Sequence, residues 1–216
     1  MDPALRRALL HAVFAYDRVR FAAFRARYGG ALRVAHGASP NLRFAEIRLE
    51  PGARVEVGPG LATERRRGNR IWVQANGRLS IGPDVWLRTQ HAENQLTVFP
   101  GGAIELAAGA FLNGAMLHAK RLIHVGERSM LGFGSRVFDA DLHDLDSETP
   151  ERIEPVRIGA RCWIGANVHV LRGVTIGDDV VVGAGSVVTR DLPSRVLAAG
   201  VPARVLREIA SREGTH

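Results

Sequence analysis

The sequence predicts an all-β protein, a left-handed parallel β-helix of hexapeptide repeats. Three observations carry this: an unbroken run of six-residue blocks, the same block recurring upstream, and two segments that interrupt it. From Ile158 the chain divides without a gap into IGARCW, IGANVH, VLRGVT, IGDDVV, VGAGSV and VTRDLP. Each block starts with Ile or Val, four of the six have Gly second, and the fifth residue is Cys, Val, Val, Val, Ser or Leu. Strand side chains alternate between faces, so positions one, three and five cannot all point inward through one continuous sheet. Position five and the position one that follows it point inward instead, and the glycine-bearing residues between turn a corner. Three short strands and three corners make a triangular coil. Stacked coils pair their strands in parallel and bury a column of aliphatic side chains.

Upstream, VGERSM, LGFGSR and VFDADL run in register from Val125 to Leu142, IGPDVW starts at Ile81 and VGPGLA at Val57. The phase slips between residues 89 and 122, although Ile104, Leu106, Ala110 and Leu112 keep the inward positions. The β-helix is therefore expected over residues 31–193, with looser coils in its first half. Residues 1–30 read as an amphipathic α-helix: Asp2 caps, Pro3 suits the first turn and Gly29-Gly30 ends it. Its apolar residues (Leu5, Leu9, Val13, Tyr16, Phe21, Phe24) alternate with Arg6, Arg7, Arg18, Arg20, Arg25 and Arg27. Such a helix packs on the β-helix or a neighbouring subunit, or lies on an acidic membrane surface. The second interruption, 143–156, reads as a polar, acidic loop extruded from the stack, and long insertions into compact repeats are disproportionately functional. Residues 194–216 form a tail, expected to end in a short helix.

Composition narrows the partners. Lys+Arg 29 against Asp+Glu 22 leaves a formal charge of +7, which favours an anionic ligand. The single Cys162 rules out an internal disulfide framework and points to a reducing, cytoplasmic compartment. No segment has the length of a membrane span, so membrane contact is expected only as peripheral attachment to the inner membrane through the N-terminal helix. The basic loop Arg65-Arg-Arg-Gly-Asn-Arg70 lacks interleaved aromatic residues and reads as solvated rather than as a nucleic-acid site.

The stretch from Pro155-Val-Arg-Ile-Gly through Trp163-Ile-Gly-Ala-Asn, Gly173-Val-Thr-Ile-Gly-Asp, Val182-Gly-Ala-Gly-Ser-Val-Val-Thr and Gly200-Val-Pro-Ala-Arg-Val-Leu-Arg resembles the hexapeptide-repeat acyltransferases. Within them it is most similar to galactoside, maltose and capsular-polysaccharide O-acetyltransferases. The resemblance is dense over about the last 110 residues of the chain and diffuse before them. It implies acetyl-CoA as donor, a sugar or other hydroxyl-bearing acceptor, no metal, and a homotrimer with active sites between subunits.

His143 lies in Asp139-Ala-Asp141-Leu-His143-Asp-Leu-Asp146, where the repeat stops. A hydroxyl is a poor nucleophile near neutral pH, and imidazole beside carboxylates such as Asp141 suits a general base. The resemblance places the family's essential histidine at this point. It also implies the backbone N–H of Ala166 as oxyanion donor and Asn113 as a contact for the acceptor hydroxyl. Asn113 has an alternative reading as a rung of an asparagine ladder. An acidic residue that the relatives carry shortly after this Asn is absent, Ala119 and Lys120 occupying the region, which argues against galactoside as acceptor. By resemblance Trp163, Ala166 and Ala184 line the pantetheine groove, and Thr189, Arg190, Arg204 and Arg207 hold the nucleotide and its phosphates, which arginine meets bidentately. His169 is expected to point outward and Cys162 into the core. Rival readings are an N-acyltransferase of an amino sugar or antibiotic, a non-catalytic scaffold, and a γ-carbonic-anhydrase-like enzyme using His118, His124 and His143 as metal ligands.

Overall fold

In the computed structural model, residues 3–65 and 68–214 are described; the Asp2 cap, Arg66, Arg67 and the side chains of Leu5 and Leu9 lie outside the described residues. The chain winds as the left-handed β-helix that the repeats predict, the strands among the described residues falling into three sheets of seven, eight and seven, parallel throughout except for the last strand of the eight. The first face runs from Leu32–Val34 to Thr175–Ile176, the parallel part of the second from Ala62–Thr63 to Val196–Gly200, and the third from Glu46–Leu49 to Val187–Val188. Between Arg54–Val57 and Val187–Val188 each coil visits the first, second and third face in that order.

The inward positions are those the blocks require. Ile158, Cys162, Ile164, Val168, Val170, Val174, Ile176, Val180, Val182, Ser186 and Val188 are all buried, and Leu192 continues the column. Upstream, Ile104, Leu106, Ala110 and Leu112 are buried despite the slipped phase. Coil length explains the slip. Ile158 pairs with Ile176, 18 positions on, which is three hexads. Val55 pairs with Leu79, 24 positions on, and Leu79 with Ile104, 25 on. The long coils carry four- and five-residue strands on the third face, Glu46–Leu49, Asn69–Val73 and Asn94–Val98, where the regular coils carry two. Their extra corner length is closed by a buried polar ladder: Asn94 Nδ2 donates to Asn69 Oδ1 (3.0 Å), and Asn69 Nδ2 donates to Thr63 Oγ1 (2.8 Å).

The N-terminal helix spans Pro3–Tyr28. Its last third packs on the β-helix through Phe21, Phe24 and Tyr28, with Tyr28 Oη donating to Ile47 O (3.1 Å). Asp17 pins the middle by pairing with the nearly buried Arg43 at 2.6 Å. Val13, Tyr16 and Val19 stand exposed. The tail corrects one expectation. After a turn containing the cis Val201–Pro202 peptide, Ala203–Glu208 is not a helix but a strand, antiparallel to Val196–Gly200. Val205-Leu206-Arg207 suits either state locally. The second face ended in an unpaired strand edge, and satisfying its backbone groups decides for the strand.

Candidate active site

The candidate residues fall on two edges of the triangular prism. At the edge between the second and third faces lie Asn113, which ends the strand Phe111–Asn113, Ala166, which follows Trp163–Ile164, and Ala184, which follows Val181–Val182. At the edge between the third and first faces lie Thr189 and Arg190, following Val187–Val188, and the loop bearing His143 and Asp141, following Arg136–Phe138. The third face, several residues wide, separates the two sets. One chain therefore does not bring His143 to Ala166.

The first edge is built for close approach. Gly165 stacks so tightly on the next coil that a Cβ there would lie 2.7 Å from the Ala184 nitrogen, so only glycine passes and the backbone around Ala166 stays open. At the equivalent point of the preceding block, the Ala160 N–H is capped by Asp178 Oδ1 (2.8 Å). The Ala166 N–H has no acceptor among the described residues. Two coils before it, Asn113 Oδ1 is buried without a hydrogen-bond partner among the described residues. The ladder of the first half passes through Asn69 and Asn94 and leaves Asn113 out. A buried carbonyl oxygen without a donor is costly, and a ligand hydroxyl or amine supplies one.

Trp163 stands on the second face, 49% exposed, in a register column that runs Trp86, Phe111, Met130, Trp163, Val181, Leu197, Arg207. Arg207 and Arg204 are exposed on the tail strand, bonded only to backbone carbonyls (Arg207 Nη1 to Glu208 O, 3.2 Å; Arg204 Nη1 to Ala203 O, 2.9 Å). Both guanidinium charges are thus left unpaired among the described residues and suit phosphate oxygens. Sequence reasoning missed Arg212. Its guanidinium lies over the Trp163 ring at 5.8 Å, and its backbone N–H donates to Asp179 Oδ1 (2.8 Å), which also binds Arg161. No spacing rule links Arg212 to Trp163, because the tail returns to the coils only through tertiary contacts.

At the second edge, residues 139–155 form a hairpin-like loop closed by Asp141 N–H to Arg152 O (3.1 Å) and Glu154 N–H to Asp139 O (2.8 Å). The buried Asp139 carboxylate anchors its start by accepting the backbone N–H groups of Lys120, Arg121 and Leu122, each at 2.7 Å. His143 projects into solvent and makes no hydrogen bond or ion pair among the described residues. Asp141 does not reach it: Oδ1 accepts from Arg172 Nε at 2.6 Å, and Oδ2 lies 3.8 Å from Arg152. Desolvation pushes the Asp141 carboxyl up, but hydrogen bonds and charge from Arg172 and Arg152 outweigh it and hold the carboxyl below its ordinary value. Asp141, Arg172 and Thr189 share a groove of about 420 Å³ with Phe138, Leu142 and Leu171.

His118, His124, His169 and Cys162 have their partners on the coils. His118 is packed edge-on between Phe99 and Phe138, and burial lowers its pKa. His124 Nδ1 meets Glu105 (3.1 Å) on the first face, and His169 faces outward, 3.0 Å from Arg136. Cys162 Sγ donates to Gly177 O (3.0 Å), and burial pushes its thiol up to about 11. Among the described residues, no group of three or more His, Cys, Asp or Glu is placed to hold a metal ion.

Residues 155–190 match the family of the hexapeptide repeat of succinyl-transferase. That stretch is a run of hexapeptide repeats, and the chain around it is similar to acetyltransferases. It is 58% identical over 71 residues to galactoside O-acetyltransferase of Escherichia coli (strain K12), covering 33% of this chain and 35% of that one. It is 49% identical over 77 residues to a protein of Saccharomyces cerevisiae named as an acetyltransferase, covering 34% and 39%. The matches thus span little more than a third of these curated relatives. Across the whole coil the fold agrees with a hexapeptide-repeat acetyltransferase of Vibrio cholerae complexed with acetyl-CoA, at 20% identity, 93% and 91% coverage and a TM-score of 0.50.

Proposed function

We propose that this hexapeptide-repeat protein is an acyl-CoA-dependent O-acyltransferase, moving acetyl from acetyl-CoA to a hydroxyl of a sugar or surface-polysaccharide precursor, and that it works as a homotrimer. The observation that carries the reading is the division of the candidate residues between two edges. Asn113, the open Ala166 N–H and the Gly165–Ala184 groove belong to one edge and His143 to the other. A site is complete only where the His143 edge of one subunit meets the Ala166 edge of its neighbour, and three copies around an axis close such a ring.

Within that site His143 takes the proton of the acceptor hydroxyl as its oxygen attacks the thioester carbonyl carbon. The negative charge that develops on the carbonyl oxygen is met by the Ala166 N–H, an already oriented donor that needs no rearrangement. Collapse expels the coenzyme thiolate, which His143 reprotonates, leaving an acetyl ester and a free thiol. Asn113 offers its unpaired Oδ1 to the acceptor. Trp163, Ala166 and Ala184 flank the pantetheine arm, and Thr189, Arg190, Arg204 and Arg207 take the nucleotide end. The alternative acceptor is an amino sugar or antibiotic amine, for which the same base and donor serve. Cytoplasmic acetyl-CoA and a lone buried thiol suit a reducing compartment. The exposed Val13, Tyr16 and Val19 beside Arg18 and Arg20 leave the helix able to lie on an acidic membrane surface.

The test is thiol release by purified protein given several acyl-CoA donors against a panel of sugars and amino sugars, with light scattering on the same sample. Turnover with a sugar hydroxyl at roughly three times the chain mass supports the reading. An active monomer would break the between-subunit site.

A further inference from the structure

The loop that carries His143 is held from outside by two cations on the rigid coils. Lys120, just after the strand Met116–Ala119, places Nζ 2.6 Å from Glu151 Oε2 and 2.8 Å from Oε1. Arg172, just after His169–Val170, places Nε 2.6 Å from Asp141 Oδ1 and Nη1 3.4 Å from Glu154 Oε1. The Lys120–Glu151 pair is not an ordinary surface pair: its side chains are 22% and 18% exposed, whereas those of Arg48 and Glu46 are 71% and 53% exposed. Arg172 is itself 16% exposed and reaches out to the more exposed carboxylates of Asp141 (40%) and Glu154 (48%). Lys120 Nζ also lies 5.4 Å from the centre of the Phe99 ring. Partial desolvation strengthens such contacts, whereas exposed pairs contribute little.

The anchored acids bracket the histidine. Asp141 precedes His143 by two residues, and Glu151 and Glu154 follow it on the returning arm. Between the anchors the loop is closed by local turns: Asp146 Oδ1 accepts from Glu148 N (2.9 Å) and Thr149 N (2.7 Å), and Asp144 Oδ1 from Glu151 N (2.8 Å). Those turns shape the tip without fixing where it stands relative to the coils.

We propose that Lys120 and Arg172 are positioning residues, two ion-pair clamps that fix the His143 loop so that proton transfer is set by side chains that do not themselves touch the substrate. The proposal rests on the acyltransferase reading of His143.

Charge reversal tests it on the full-length protein. Lys120→Glu and Glu151→Lys are each expected to lower kcat by about tenfold or more, since small misplacements of a catalytic group cost that much or more. Donor KM should stay unchanged, and backbone amides across 143–150 should exchange faster in both variants. The double variant Lys120→Glu/Glu151→Lys, with the pair restored in reverse, should recover both kcat and exchange protection to within about threefold, and Lys120→Arg should remain near wild type. Lys120→Met serves if a reversed charge impairs folding, with the same expected loss. The proposal is overturned if exchange and kcat are unmoved in the single variants, or if the double variant is no better than either single. Exchange is readable even in a protein without transferase activity. His143→Ala assayed alongside therefore separates failure of the clamp from failure of the catalytic reading.

Discussion

The coils before residue 104 and those after residue 156 solve the same packing problem with different lengths of chain. The later ones repeat every 18 residues until the last, and fill the column with mostly aliphatic side chains, Cys162 and Ser186 being the exceptions. The earlier ones take 24 or 25 residues, extend the third-face strands and add the Thr63–Asn69–Asn94 ladder inside a corner. The regular half presents small residues and open backbone at its edges, suited to a long thin donor common to many enzymes. The proposed catalytic residue stands where regularity fails: His143 lies in the insertion that separates Ile123 from its partner Val156 by 33 positions.

The largest effect is expected at that insertion. His143→Ala should lower kcat by about 10²–10⁴-fold, the usual contribution of a general base, with little change in donor affinity or thermal stability. His118→Phe, which keeps an aromatic ring between Phe99 and Phe138, should keep kcat near wild type. Equal damage from both variants would favour a metal-ligand role for the histidines.

Next come the two kinds of coil themselves. Leu79→Ala in a long coil and Ile164→Ala in a regular one each empty a fully buried position flanked by partners on both sides. Each should cost about 2–5 kcal/mol in denaturant unfolding. A Leu79 loss below about 1 kcal/mol would show that the long coils pack loosely and that their ladder, rather than their column, holds them. Smaller again is the tail: Arg204→Ala/Arg207→Ala should raise the KM for acetyl-CoA at least about tenfold, each charge-assisted contact contributing about 1.5–3 kcal/mol. A truncated thioester donor lacking the nucleotide should be almost indifferent to the change.

The smallest expected effect is a pH response confined to acid. Asp141 has its folded-state pKa depressed by Arg172 and Arg152, so the anchoring it contributes is fully present above the ordinary carboxylate value and is lost as pH falls through the depressed one. Proteolytic nicking of the 143–150 segment should therefore be flat from pH 8 to about pH 5 and rise only below the ordinary carboxylate range. A rise near pH 6 would assign the anchoring to histidine instead.

Much of this was legible in the residues because the hexad is a strict pattern: the Ile158-to-Leu192 column, the corner glycines and the position of the loop all follow from phase. What was illegible depends on contacts that no local pattern encodes. Arg172 meets Asp141 across 31 positions, Arg212 meets Trp163 across 49, and the Asn69–Asn94 ladder joins neighbouring coils. The tail misled because Val205-Leu206-Arg207-Glu208 has no preference strong enough to resist an open sheet edge. Asn113 had two readings in the sequence, ligand contact or ladder rung, and its place outside the Asn69–Asn94 ladder depends on coil lengths that no local pattern encodes.

The Asp139 carboxylate, holding three consecutive backbone N–H groups at the mouth of the loop, has a consequence for how such proteins diversify. Ile123 still pairs with Val156 in perfect register although a whole excursion has been threaded between coils. The staple seals the exit point, so what lies beyond it can lengthen, shorten or be replaced without disturbing the stack. Closing a loop twice as long costs only about 0.6 kcal/mol more. The junction is in effect a socket, through which a lineage can exchange the inserted segment while inheriting the coils intact.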